Sequence, residues 1–306
     1  MAIQRRQSNL MLLLAAAIWG FAFVAQRAGM EHIGPFTFNA IRFALGSAVL
    51  VPFILWRGRQ GTGAAAAGQS QPLPRRTVLM GAALAGLVLC LGSSLQQIGI
   101  VTTTAGKAGF ITGLYVVIVP LLGLLRGQHA SRTTWIGAVL AAAGLYLLSI
   151  KGAFGISHGD LLVFFGAFFW AGHVHIIGWL SPRSDPFQLA CLQFAVVSLL
   201  SAVAALLTES FDLASIQAAG LPILYAGAMS VGVAFTLQVV AQRTARPDHT
   251  AIILSLEAAF AVLGGWLILS ESLSVRAGVG CVLMLTGMIW SQLGSADGEE
   301  DGSRRS

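Results

Sequence analysis

The chain has 306 residues, 56% of them hydrophobic and only 10% charged, with a mean hydropathy of +0.79. A soluble domain carries roughly 25% charged residues because its surface must face water, so the composition excludes an ordinary soluble protein and predicts an all-α integral membrane protein. The net charge of +6 sits in short loops and tails, with no basic face and no interleaved aromatics, which excludes nucleic acid as a partner.

The first element opens as "MAIQRRQSNLMLLLAAAIWGFAFVAQRAG", which looks like a signal peptide up to Ala15–Ala17. A cleaved signal needs an apolar core of about 7–15 residues before its cleavage site. Only Leu10 to Leu14 precede it, and the apolar run continues through Val24, so this is a first membrane span. A span takes about 20 mainly apolar residues, and by that measure the chain offers ten. They lie near 9–26, 36–56, 77–99, 104–125, 132–150, 159–180, 187–207, 219–242, 249–270 and 276–293. Most connections are a few residues long and hold Pro, Gly or charge, such as "EHIGP" and "SPRSDP". The Ala/Gly/Gln/Pro loop at 57–76 and the tail at 294–306 are predicted to be disordered by composition. Cys90, Cys191 and Cys281 each lie inside an apolar run and form neither a disulfide framework nor a zinc site.

Orientation follows from the loop cations. With the amino terminus inside, the inner loops and tails collect thirteen arginines, among them Arg5, Arg6, Arg57, Arg59, Arg75, Arg76, Arg126, Arg132 and Arg183. The outer side receives Arg27, Lys151 and Arg276. Both termini are therefore expected to be cytoplasmic, in the plasma (inner) membrane.

A shift of 151 residues pairs Trp19 with Trp170, Pro35 with Pro186, Phe36 with Phe187, Phe43 with Phe194 and Ser47 with Ser198. A shift of 142 pairs Gln96 with Gln238 and Gly123 with Gly265; a shift of 143 pairs Gly137 with Gly280 and Gly144 with Gly287. The sustained register predicts two repeats, 9–150 and 159–293. Each holds five spans, an odd number, so the repeats are inverted. Secondary transporters are built this way, with a site near the midplane between the halves.

The stretches "AAAIWGFAFVA", "AIRFALGSA", "AGFITGLYVVIVPLLGLL" and "SLEAAFAVLGGWLILSESLSVRAGVGCVLMLTGMIW" resemble the EamA-type branch of the drug/metabolite transporter superfamily. The most specific parts of the likeness are Trp19–Gly20, Arg42, and Leu256, Glu257, Ser270 and Glu271. The resemblance implies ten helices in two EamA repeats, and export or exchange of small metabolites without ATP. Two positions depart from the family pattern. Ala258 stands where proline is frequent, which is expected to remove a kink, and the Trp–Gly pair becomes Trp170–Ala171 in the second repeat.

Other chemistries find little support. "TTTAGKAG" lacks the first glycine and the Ser or Thr of a phosphate loop, so no nucleotide site is expected and no cofactor is implied. His173 and His175 are two apart, and on a helix such residues point to nearly opposite sides, so they do not form a metal pair. The expected function is secondary-active transport of a small polar or amphipathic metabolite by alternating access. A membrane-embedded enzyme or lipid scramblase acting at the interface is the alternative. Expected partners are the substrate, the lipid bilayer and protons as coupling ion; a homodimer is compatible with the chain.

The polar residues within the spans are the site candidates. Glu257, about 12 Å along its helix at 1.5 Å per residue, must be neutral or paired, as a structural residue or as a coupling group. Arg42 cannot neutralise, and either binds an anionic group or ties helices together. His173 shares a helix face with Trp170, where it either contacts substrate or packs against a carbonyl. Gln96, Gln97, Gln193 and Gln238 fit interhelical hydrogen bonds, and Trp56, Trp135 and Trp179 fit interfacial anchors. Gly109 and Gly113 form a small-x-x-x-small pair that permits close helix contact. Lys107 shares a side with Ile111, Leu114 and Tyr115. Its repeat partner is His249, and that of Tyr115 is Glu257. A basic group one turn in and a polar group two turns further thus recur in each half, which predicts that this side lines a cavity. Lys107 either snorkels to headgroups or joins the free N–H groups of its helix start in attracting an anion.

Overall fold

The computed structural model describes residues 2–59, 73–103, 105–128, 130–149, 157–210, 212–269 and 274–304. Those residues form helices and short connections, with no strand among them. In chain order they are α1 (Ala2–Gly29), α2 (Pro35–Arg59), α3 (Arg75–Thr102), α4 (Ala105–Gly113), α5 (Tyr115–Leu125), α6 (Arg132–Ser149), α7 (His158–Leu180) and α8 (Pro186–Thr208). After α9 (Leu213–Ala218) come α10 (Gly220–Leu224), a π-helical stretch (Tyr225–Phe235), α11 (Thr236–Ala241), α12 (Pro247–Leu254), α13 (Glu257–Leu269) and α14 (Val275–Arg304). Among the described residues, seven stretches are long and apolar enough to cross a membrane: Gln4–Gly29, Pro35–Arg59, Arg75–Thr102, Ala108–Leu125, His158–Arg183, Pro186–Thr208 and Gly220–Ala241. Most of the loop expected at 57–76, together with Ser270 and Glu271, lies outside the described residues. The backbone of α14 runs on through most of the tail for which composition predicts disorder, as a direct continuation of the last apolar helix.

Local chemistry sets the helix ends. Ser157 and Asp160 form a reciprocal capping box at the start of α7, with N···O distances of 2.8 and 3.1 Å. Asp185 accepts from the backbone N–H groups of Phe187 and Gln188 and caps α8. The cap of α2 comes from far away in sequence. Glu209, just past α8, accepts from the N–H groups of Phe36 and Thr37 at 2.8 Å and from the Thr37 hydroxyl at 2.7 Å. At the other end of the same helix pair, Arg57 reaches Asp185 at 3.4 Å. The α2–α8 pair is thus fastened at both ends.

Glycines allow the closest helix approaches. A Cβ on Gly137 would lie 2.7 Å from the Gly287 carbonyl oxygen, and one on Gly144 would lie 2.5 Å from that of Gly280. These contacts form the seam between α6 and α14. Gly113 packs on Leu145 of α6, where a Cβ would stand 3.0 Å away, whereas Gly109 faces the Phe23 ring across an ordinary 3.9 Å. Between α2 and α8, the Ser47 hydroxyl donates to the Cys191 carbonyl (3.2 Å) and the Ser198 hydroxyl to that of Ala40 (2.9 Å).

Two helical runs, α4–α5 and α12–α13, are broken. Around Leu114 the bonds shorten to three-residue spacing, from Leu114 N–H to Ile111 O and from Val117 N–H to Leu114 O, and Pro120 further on withholds a donor from Val116 O. Around Ser255 and Leu256 the same occurs, from Leu256 N–H to Ile253 O and from Ala258 N–H to Ser255 O. The expectation that Ala258 removes the kink is therefore corrected. The Ser255 hydroxyl bonds back to Ile252 O at 2.9 Å, and such back-bonding bends a helix without proline.

Candidate functional site

A narrow cavity of about 50 Å³ lies among α1, α2, α3, α7, α11, the two broken helices and the π-helical stretch. That is room for a few water molecules in the described conformer. Six of the eight sequence candidates line it: Trp19, Arg42, Tyr115, Trp170, His173 and Glu257. Trp19, Phe23 and Gln26 present one face of α1 to it, spaced four and three residues apart.

Arg42 is 3% exposed. Its Nε donates to Asn39 Oδ1 at 2.9 Å, and its guanidinium lies over the rings of Phe43 and Phe38, 5.0 and 5.5 Å from their centroids. No carboxylate lies within ion-pair distance of it among the described residues, so the outer nitrogens of the fork are left for whatever enters the cavity.

Glu257 is 4% exposed and opens α13, directly after the break. The Tyr115 hydroxyl, directly after the other break, donates to its Oε1 across a long 3.4 Å. Gly20 explains how α1 reaches this point. A Cβ there would stand 2.7 Å from the Glu257 carbonyl oxygen and 2.5 Å from Phe260 Cβ.

The polar wall continues through a chain of amides. Thr112 donates to Gln96 Oε1 at 3.3 Å, and Gln96 Nε2 to Gln26 Oε1 at 3.1 Å. Gln97 Nε2 donates to the Gln26 carbonyl at 3.4 Å. His173 Nε2 donates to Gln193 Oε1 at 2.8 Å, so the neutral ring keeps Nδ1 as an acceptor. His175 points elsewhere and donates through Nε2 to Val119 O at 2.8 Å.

Phe235, which sequence reasoning passed over, is the centre of the aromatic wall. Trp19 lies 4.6 Å from it and Trp170 stacks at 5.9 Å and 20°; His173, Phe43 and Phe194 meet its edges and faces at 6.0–6.2 Å. It ends the π-helical stretch, a departure from α-geometry that is frequent at functional sites. An aromatic in an apolar span carries no sequence signal of its own. Within that stretch, Leu45 and Val49 of α2 fill the space above Gly227 and Gly232.

One candidate, His249, stands apart from this cavity. His249 lies in the first turn of α12, eight residues before Glu257 and so about 12 Å away along the axis, buried beside Asp248 at the end of the bundle. Lys107 belongs to the first turn of α4, and its side chain lies outside the described residues. Toward the amino-terminal end, Gln238 Nε2 donates to Gln242 Oε1 (3.0 Å), Gln242 Nε2 donates to Val174 O (2.8 Å), and the Ser8 and Thr244 hydroxyls meet at 2.6 Å.

Comparison with known proteins places this geometry. The model of the EamA-like transporter family matches residues 6–150 and again 157–292. An uncharacterized transporter of Archaeoglobus fulgidus is 30% identical over 290 residues, covering 94% of this chain and 86% of that one. The uncharacterized inner membrane transporter YedA of Escherichia coli (strain K12) is 29% identical over 161 residues, half of this chain and 47% of the relative. A solved crystal structure shares the fold, with a TM-score of 0.75 at 18% identity over 94% of this chain and 96% of its own.

Proposed function

Because the chain belongs to the EamA-like transporter family, a family of multi-pass membrane transporters, we propose that it is a secondary-active carrier of ten spans in two inverted five-helix repeats. It moves a small polar or amphipathic metabolite through the central cavity by alternating access. One observation carries this reading. The fourth and ninth spans are interrupted at equivalent positions, near Leu114 and near Leu256, which are 142 residues apart. The residues that follow the breaks, Tyr115 and Glu257, meet on the cavity wall. Paired interrupted helices at the repeat interface are the usual frame of a transporter site.

The inverted relation draws support from contacts that exchange under the sequence shifts. Moving both partners of Ser47–Cys191 by 151 gives Ser198–Ala40, and moving those of Gly137–Gly287 by 143 gives Gly280–Gly144. Within the cavity Arg42 anchors an anionic group of the substrate, and Glu257, across from that charge, exchanges a proton or pairs with a cationic group. At the amino-terminal end the Gln242 amide ties α11 to the Val174 carbonyl of α7, and at the opposite end Arg27 ties α1 to the carbonyls that close α3. Both termini are cytoplasmic, and the cycle exports or exchanges its substrate without a cofactor.

The test is counterflow. Metabolites that raise the unfolding temperature of the purified protein are selected, and proteoliposomes preloaded with one of them should transiently accumulate its radiolabelled form. A chemically altered product, or lipid translocation without solute exchange, would sink the carrier reading.

A further inference from the structure

We propose that the end of the bundle where α2 stops, α3 starts and α7 turns into α8 is a binding site for the phosphate of an anionic phospholipid. The contacts bring three separate stretches of chain together there. The Leu73 N–H donates to the Arg183 carbonyl at 3.2 Å, and Arg57 reaches Asp185 two residues further on. Arg59 stands two residues from Arg57 at the end of α2, and Arg75 and Arg76 open α3 two and three residues after Leu73.

Five arginines thus belong to the helix ends that meet here, alongside one carboxylate, that of Asp185, which already pairs with Arg57. The residues between Arg59 and Leu73 include no acid in their sequence. Arg59, Arg75 and Arg76 are exposed and have no ion pair among the described residues. Arg183 donates to the Trp179 carbonyl at 2.6 Å with its guanidinium 5.5 Å from that indole, a geometry that fixes the side chain without neutralising it.

The surroundings suit a lipid better than a soluble anion. Trp179 and Trp56 are 42% and 55% exposed beside the cluster, and Met80, one turn into α3, is 63% exposed. Indoles mark the headgroup level of a bilayer, and apolar side chains just beyond them give acyl chains a surface to lie on. Arginine forks match phosphate oxygens bidentately, and basic clusters between helix ends hold anionic headgroups.

The experiment is native mass spectrometry of the whole protein in detergent, titrated with phosphatidylglycerol and with phosphatidylcholine of the same acyl chains. Wild type should retain phosphatidylglycerol preferentially. R59Q/R75Q/R76Q/R183Q should lower that preference by at least about tenfold. R5Q/R6Q/R126Q/R132Q, which removes as many charges elsewhere at the same end, should leave it nearly intact. Equal loss in both variants would reduce the effect to net charge and overturn the site, as would equal retention of the two lipids by wild type. Stabilisation by millimolar inorganic phosphate alone, matching that by the lipid, would overturn the lipid assignment. Should the fourfold variant fail to fold, R59Q/R76Q decides: a loss of about threefold supports the site and an unchanged preference refutes it.

Discussion

At the scale of single residues, two ionisable groups share one cavity without forming an ion pair. Arg42 keeps its place through Asn39 and two aromatic faces, none of which neutralises it. Arg42→Gln is therefore expected to raise the apparent KM for an anionic or zwitterionic substrate by at least about tenfold, the worth of one charge-assisted hydrogen bond. Arg42→Lys should recover only part of this, because a point charge does not reproduce the fork; counterflow kinetics at varied substrate concentration measure both. Glu257 invites a different readout. Glu257→Gln keeps the size and hydrogen bonding of a protonated acid, and should abolish transport driven by a pH gradient while sparing exchange. Tyr115→Phe removes the donor at 3.4 Å and should move the pH midpoint of transport without abolishing exchange. Unchanged pH dependence in Glu257→Gln would leave the carboxyl a structural role. Arg42 and Glu257 were legible as candidates because charge inside an apolar run is conspicuous. Phe235 was not, since nothing distinguishes one phenylalanine from another until packing places it among Trp19, Trp170 and His173.

Among elements, the contacts of glycines separate seams that must stay narrow from spaces that need not. A Cβ on Gly20 would collide with the backbone of Glu257, which cannot rotate away. Gly20→Ala should cost about 1–3 kcal/mol as an overpacked contact and displace Glu257. Gly109→Ala, facing a ring at 3.9 Å, should change stability little and serves as the control, with the thermal unfolding midpoint in detergent reading both. Helix positions were largely readable from apolar runs, and the short connections with Pro, Gly and charge marked their ends. The breaks were less so. One falls near a proline, Pro120, but the other arises from Ser255, a residue whose hydroxyl bends a helix only when it turns back on the carbonyl of Ile252. The π-helical stretch, where α2 presses on glycines, had no sequence signal at all.

For the whole molecule, the arginine distribution predicts an orientation that can be tested. Single cysteines at Ala65 and Gly302, in a background lacking the three native ones, should resist impermeant thiol reagents in intact cells and react after lysis. Labelling of either before lysis would reverse the assigned topology. The repeat was visible in sequence only as a register of weak matches, because apolar segments agree often by chance. Its physical sense emerges when Ser47 and Ser198, or Gly137 and Gly280, are found making the same contact twice.

The glycine seam between α6 and α14 bears on how such a chain is made. The Gly137 and Gly144 face of α6 finds its partner only in the last helix, which leaves the ribosome more than a hundred residues later. Until then the Gly137 and Gly144 face lacks the backbone that lies 2.5–2.7 Å from where their Cβ atoms would stand. The seam therefore forms late in synthesis, when α14 follows the helices described before it.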